Sequence, residues 1–503
     1  MSAIEVKAVD TDTAVPSRVE GRRRDSQFDH ESENGDLDFD RKSESTQKED
    51  EEAISSETDA GPLQLEVPDG GYGWVIVLAC FFFNISTWGS NAGYAIYLAH
   101  YLNNNTFPGA TKIDFGIVGG IVFGCGLPLA PLYNYMVGRI GLKSVIVIGI
   151  TIQLAGTLLA SFSTKYWQIL LTQGACEGVG MSMVALTNVN LLPQWFRKKR
   201  STAIGFAAAG SGMGGIIFNL PMQQIINKHG FRWSLRVQAI MCASLSVIGL
   251  FLARSREKHI RPVYKIYDRQ VWRCFGIWLE VIYLMLTMLG YVVLMYNLAD
   301  FTRSLGYTAQ QGSVVSTMVS VGSLTIRPFC GRILDYYGPV NVSIFLHAIV
   351  GVFAIAMWIP IRNLASAIIF AFIEGGMMGT LWIAMPPVTA KIVGLRKMGV
   401  GLAVNWIFLG VAGFVSPIIG IDLKSKDIDG HSFPAQYRNP AIFVGCVYFG
   451  SAIALLIMRG WIIARSKLAD ERFGAREEDQ DSLEISVPPM ATMRNLFTMY
   501  GKI

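Results

Sequence analysis

Five polar residues inside one apolar stretch carry the most chemical information in this sequence. Ser313, Ser316, Ser320, Ser323 and Arg327 follow steps of 3, 4, 3 and 4 residues. That spacing places four hydroxyls and one guanidinium on a single helical face. Turned toward lipid, such a face would be costly, since an arginine near the bilayer centre costs at least about 2.5 kcal/mol to insert. The stripe is therefore expected to line a wet cavity and to bind or gate a substrate; the alternative is a buried structural arginine paired with Glu280 or Glu374. Near-helical spacing also joins Asn84, Thr87, Asn91 and Tyr94, and again Glu280, Tyr283, Thr287 and Asn297. Three cavity helices are thus expected. Glu177, which shares a face with Gln173, Gly180 and Thr187, joins Glu280 and Glu374 as a candidate proton site, structural pairing being the other reading of each acid.

Other chemistries fail on spacing. The six histidines are scattered, without the paired positions of a metal-binding helix, and no Walker motif occurs. Gly210-Ser-Gly212-Met-Gly-Gly215 has the GxGxxG form, yet no strand precedes it and it lies within an apolar run, so close helix packing is the better reading. No enzyme, cofactor, metal or ATP-driven step is expected.

The elements that hold these residues follow from composition. Of 503 residues, 51% are hydrophobic and only 16% charged, against about 25% charged in soluble domains. Residues 1–68 hold 19 acidic and 8 basic side chains, whereas 69–463 hold 12 and 29. The first segment reads as a disordered acidic tail without a signal peptide, and Lys42, Lys48 and its many Ser and Thr suit ubiquitin or kinase control. Apolar runs of bilayer length predict spans at 74–100, 115–136, 144–163, 167–192, 201–226 and 234–254, then at 273–300, 311–331, 340–361, 364–390, 399–420 and 440–463. The result is an all-α membrane protein of twelve helices, with bundles at 69–254 and 273–463, a basic loop at 255–272 and a tail at 464–503.

Lys and Arg near the span ends number 20 on the side of the tails and 9 on the other, which predicts cytosolic termini. Such short cationic clusters between spans face lipid headgroups and topology rather than nucleic acid. The seven cysteines show no CxxC pair and read as packing residues. The sequon Asn104-Asn-Thr106 sits in a short loop beside the membrane, a position that disfavours glycosylation.

The two halves are related. Asn134-Tyr-Met-Val-Gly138-Arg-Ile-Gly141 recurs 197 residues later as Gly331-Arg-Ile-Leu-Asp335-Tyr-Tyr-Gly338, and the basic loop Arg197 to Arg200 has a counterpart at Arg396 and Lys397. The copy at Gly331 to Gly338 resembles the loop signature of the major facilitator superfamily. Asp69-Gly70-Gly71-Tyr-Gly-Trp74, together with the stretch from Trp195 through Arg197, Arg200, Gly205 and Gly210 to Gly215, resembles the paired signatures of the monocarboxylate porter family, in the fungal branch of monocarboxylate transporter homologues. In itself, Asp69 to Trp74 reads as a tight entry turn with an interfacial indole, and Arg197 to Arg200 as a cytosolic loop that contacts anionic lipid, pairing with acids in a gate being the other reading.

The resemblance implies two pseudo-symmetric six-helix bundles that move a small solute by alternating access. It also implies that Arg327 is the helix 8 arginine of that family. The helix 1 lysine and the helix 8 acid of the animal members fall on Ala92 and Ser323, so neither charge carries over. The expected function is transport of a small polar organic solute, monocarboxylate-like, by proton symport or facilitated diffusion. Facilitation of a neutral or vitamin-like solute such as riboflavin is one alternative, and a non-transporting nutrient sensor is another. The plasma membrane is the expected location, with a vacuolar or other organelle membrane as the alternative.

Overall fold

The structure, a computed structural model, describes residues 68–104, 106–257, 262–424, 435–473 and 485–498. The acidic segment with Lys42 and Lys48 lies outside the described residues, as do His30, His259 and His431. Among the described residues, eleven helices are long and apolar enough to cross a bilayer. One of them, Leu364–Asp422, has 59 residues, which is about 89 Å at 1.5 Å per residue against a hydrocarbon core of about 30 Å. It holds two crossings. The chain reverses between them at Gly394, whose φ of 78° and ψ of 161° suit a residue without Cβ. In place of the expected connection over residues 391–398, helix extends to both sides of this single glycine. Span 10 thus runs from Leu364 to Gly394 and span 11 from there to Asp422.

The other crossings are Gly73–Leu98, Ile113–Ile140, Leu142–Ala160, Tyr166–Gln194, Arg200–His229 and Phe231–Leu252 for spans 1 to 6. Phe275–Ser304, Gln310–Tyr337, Pro339–Trp358 and Arg438–Glu471 follow as spans 7, 8, 9 and 12. With twelve crossings, both ends of the bundle leave on one face, the tail face. Gly141, Gly230 and Gly338 repeat the Gly394 turn between spans 2 and 3, 5 and 6, and 8 and 9, with φ of 82°, 84° and 94°. Gly141 and Gly338 occupy the same place in the 197-residue repeat. Span 12 continues as helix to Phe473, past the expected end at 463, because Arg465 is buried over the Trp461 ring and donates to the Ile392 carbonyl at 2.7 Å. All seven cysteines are free thiols.

The buried apolar side chains divide unevenly between the faces. Toward the tail face, one continuous core joins both halves, from Ile76 and Val145 through Leu279 and Leu334 to Trp406 and Ile463. Toward the far face there are two separate cores, one around Tyr97, Phe115 and Phe218 and the other around Phe301, Trp358 and Tyr448. Tyr296 of span 7 reaches across to Tyr94 and Gly119 on that side. The halves are therefore fused at the tail face and more loosely joined at the far face.

Two carboxylates complete the fused side. Asp335, at the end of span 8, accepts from the Ser201 and Thr202 backbone at 2.8 and 2.7 Å and from the Thr202 hydroxyl at 2.6 Å, capping the first turn of span 5 from the opposite half. Asp69 accepts from the Arg197 and Lys198 amides at 2.7 and 2.8 Å. Below Asp335 the two helices nearly touch, since a Cβ on Gly205 would lie 2.8 Å from the Arg327 carbonyl and one on Gly331 would meet Ser201. The loop between the halves crosses the same face, where Gln194 accepts from Arg256 at 2.7 Å and Val263 donates to Arg396 at 2.9 Å.

Candidate functional site

A cavity of about 180 Å³ lies between the halves. It is reached by spans 1, 2, 4 and 5 from the first half and by spans 7, 8, 10 and 11 from the second. Ser316, Ser320, Ser323 and Arg327 of span 8 line it, as do Asn84, Asn91 and Tyr94 of span 1. A π-helical turn at Ile85–Gly89 interrupts span 1 between these residues, a distortion frequent at functional sites. It is seated by Gly89 against the Gly214 backbone, where a Cβ would collide.

The span 8 stripe serves two neighbours as well as the cavity. Ser320 packs on Gly212 and Gly215 of span 5, and the Ser323 hydroxyl donates to the Gly375 carbonyl of span 10 at 2.7 Å. Gly210 fits against the Phe81 carbonyl of span 1, so the glycine run of span 5 is a packing surface for spans 1 and 8.

Arg327 is only 3% exposed. Its Nη1 donates to the Ser211 hydroxyl at 2.6 Å and to the Ala208 carbonyl at 3.2 Å, both on span 5. Its guanidinium lies flat on Gly379, where any Cβ would strike the planar group. The Nε proton has no acceptor, and among the described residues no carboxylate pairs with the side chain. A buried charge without a counter-ion costs several kcal/mol. An anion in the cavity would remove that penalty. Glu280 and Glu374, the partners considered for a structural arginine, lie elsewhere.

Span 7 presents a different face from the one its polar spacing predicts. Tyr291, Val292, Met295, Tyr296 and Ala299 line the cavity, whereas Glu280, Tyr283 and Thr287 turn into the second half. Glu280 accepts from Thr389 at 2.7 Å, Thr287 bonds Ser451 at 2.7 Å, and the Tyr283 ring stands edge-on to His347 at 5.4 Å. Glu374 is fully buried with neither oxygen bonded, and Glu177 keeps one oxygen unpartnered inside the first half. Among the described residues no Asp or Glu lines the cavity, and no group of three or more metal-ligating side chains occurs.

The signature residues at the tail face pair with one another. Asp69, at a φ of 49°, followed by Gly70 and by Gly71 at 57°, forms the turn that aims its carboxylate at the loop of Arg197 to Arg200. Trp74 is 41% exposed and also packs edge-on to Phe196 at 5.3 Å. Arg200 is bound back to the Phe196 carbonyl at 3.2 Å rather than extended into solvent.

Sequence spacing missed the aromatic wall. Trp88 of span 1 stacks with Trp382 of span 10 at 5.2 Å and with Trp406 of span 11 at 6.1 Å, while Trp382 and Trp406 lie 5.8 Å apart. Phe123 stacks on Trp88 at 6.3 Å, and Tyr291 meets Trp382 edge-on. Ser211, Asn188 and Asn219 add polar groups. The available signal was position: tryptophan is enriched at membrane interfaces, and these three lie near mid-span.

The comparisons with known proteins agree with this architecture. Residues 76–417 match the Major Facilitator Superfamily. The chain belongs to that superfamily. Probable transporter MCH2 of Saccharomyces cerevisiae is 46% identical over 430 residues, spanning 84% of this chain and 90% of its own. Uncharacterized transporter ESBP6 of the same yeast is 29% identical over 432 residues, which are 82% of this chain and 63% of that one. MFS-type transporter 1 of Ophiocordyceps sp. is 29% identical over 408 residues, 78% of this chain and 87% of its own. The chain is thus a multi-pass membrane transporter rather than an enzyme, related to fungal transporters as its Asp69 and loop signatures imply.

Proposed function

We propose that the chain carries a small organic anion, monocarboxylate-like, by alternating access, with Arg327 receiving the carboxylate. One observation carries this reading: a buried guanidinium lines the cavity with its Nε proton unsatisfied and no carboxylate beside it among the described residues. Ser211 and Ala208 fix the fork, leaving it ready for a bidentate contact that a lysine would not reproduce. A water needs about 10–15 Å³ of such space. The cavity therefore holds on the order of a dozen waters and suits a small organic solute. The basic asymmetry of the span ends supports cytosolic tails, and on that reading the fused tail face is a form closed toward the cytosol; the plasma membrane is the location we assign.

The tryptophan wall favours a second reading, in which a flat conjugated solute such as a vitamin stacks between the halves without requiring charge. A single panel separates the two. Labelled short monocarboxylates, aromatic carboxylates and riboflavin are offered to vesicles holding the wild type or Arg327→Ala. Carboxylate uptake lost in Arg327→Ala at unchanged protein content is the expected result. Undiminished carboxylate uptake in the variant would overturn it, uptake of the neutral flat solute alone would favour the second reading, and no flux of any solute would favour a sensor.

A further inference from the structure

The chain after span 12 returns to the transmembrane body. Residues 485–498 include a short helix, Pro489–Arg494, and a following turn. Arg459 of span 12 fastens the segment: Nη1 and Nη2 donate to the Leu496 and Thr498 carbonyls at 2.8 and 2.9 Å, while Nε donates to Asn341 in the first turn of span 9 at 2.6 Å. Lys467 adds a bond to Asn495 at 2.7 Å. Gly460 permits the contact, since a Cβ there would lie 2.6 Å from the Thr492 carbonyl. Thr492 and Asn495 are buried on this side.

The opposite side is uncovered and largely apolar, with exposed Arg494 at its edge. Met490 and Met493 share one face of the helix, and with Phe497 of the following turn they are 80%, 60% and 82% exposed. Leaving such side chains in water forgoes the gain of burying them. The position of the helix supplies an occupant. Asn341 follows the Gly338 reversal, which is flanked by exposed Tyr336 and Tyr337, and tyrosines at span ends mark headgroup level. Exposed Phe345 of span 9 and Ile453 of span 12 continue the same apolar perimeter into the membrane. The face is thus continuous with the lipid-contacting surface.

We propose that residues 485–498 form an in-plane anchor, with Met490, Met493 and Phe497 inserted at the boundary between headgroups and acyl chains of the tail-face leaflet. Arg459 ties this anchor to spans 9 and 12. Interfacial helices bind membranes in this way through a modest apolar face. Instead of trailing free, this part of the tail is held against the bilayer.

The test uses full-length protein in phosphatidylcholine vesicles, with nitroxide spin labels at Met493→Cys or Phe497→Cys in a background lacking the native cysteines. Both labels are expected to collide more with lipid-soluble oxygen than with a water-soluble nickel chelate, and a label at Ser486→Cys is expected to show the reverse. Labels at 493 and 497 that prefer the chelate would overturn the anchor. Shielding from both reagents would assign the face to another protein surface and overturn it equally. Met490→Ser, Met493→Ser and Phe497→Ser combined should make trypsin cleavage at Arg494 in intact vesicles about tenfold faster, and an unchanged cleavage rate would contradict the proposal.

Discussion

At the scale of single residues, the seat of Arg327 matters as much as its charge. Gly379 presents bare backbone to the guanidinium, so Gly379→Ala must displace the fork although it adds no charge and little volume. A lost charge-assisted contact is worth about 1.5–3 kcal/mol. Uptake of the transported anion should therefore fall roughly 10- to 100-fold in Gly379→Ala, as in Arg327→Ala. The two variants combined should be no worse than either alone, because they remove the same contact. An additive double variant would show that Gly379 acts elsewhere. Arg327 and its serines were legible because 3 and 4 residue steps fix a common face and lipid penalises that face. The glycine seat and the tryptophan wall were not legible, since each is assembled from helices far apart in sequence, and nothing local to Trp88, Trp382 or Trp406 announces the others.

Among the elements, spacing gave the faces of helices but not always their direction. On span 8, Ser316, Ser320, Ser323 and Arg327 line the cavity as their spacing predicts, whereas Ser313 is not among the lining residues. Span 7 has Glu280, Tyr283 and Thr287 on a face that satisfies Thr389, Ser451 and the ring of His347 inside its own bundle, while tyrosines and a methionine face the cavity. A buried polar stripe needs polar partners, and sequence cannot tell a neighbouring helix from water. The ends of span 5 illustrate a second case. Asp335 caps its first turn from across the interface, while Asp69 holds the loop leading into it from the same half. Asp335→Asn keeps the shape but loses the charge, so it should weaken the closed tail face selectively. With about 1–2 kcal/mol removed, the open form gains roughly 5- to 30-fold in population. Thiol labelling of Ile204→Cys from the tail face should accelerate by that factor in Asp335→Asn and stay near wild type in Asp69→Asn. Equal acceleration by both would make Asp335 an ordinary helix cap.

For the whole molecule, the arrangement of charge decides what can drive transport. The twelve crossings and the repeat were readable from apolar length and the 197-residue offset, but the depth at which each acid sits was not, because it depends on helix rotation. On the proposed function, no carboxyl among the described residues lines the cavity to trade a proton for the substrate, and Arg327 would offer a fixed positive charge to an anion that travels alone. Such an anion feels about 2.3 kcal/mol per 100 mV. In vesicles, an imposed interior-positive potential should therefore accelerate uptake and permit accumulation, whereas an imposed proton gradient at zero potential should not. Glu280→Gln should leave this pattern intact, because Glu280 lies inside its own bundle. Ser323→Asp should change it. The new carboxylate would stand one helical turn from Arg327, pair with the guanidinium and compete with the substrate, so the anion would bind chiefly when the introduced carboxyl is protonated. Uptake by Ser323→Asp should then rise with acidification on the substrate side and become sensitive to a protonophore. Accumulation by the wild type that follows the proton gradient and ignores the potential would place the proton on an embedded acid outside the cavity, and the anion uniport would have to be abandoned.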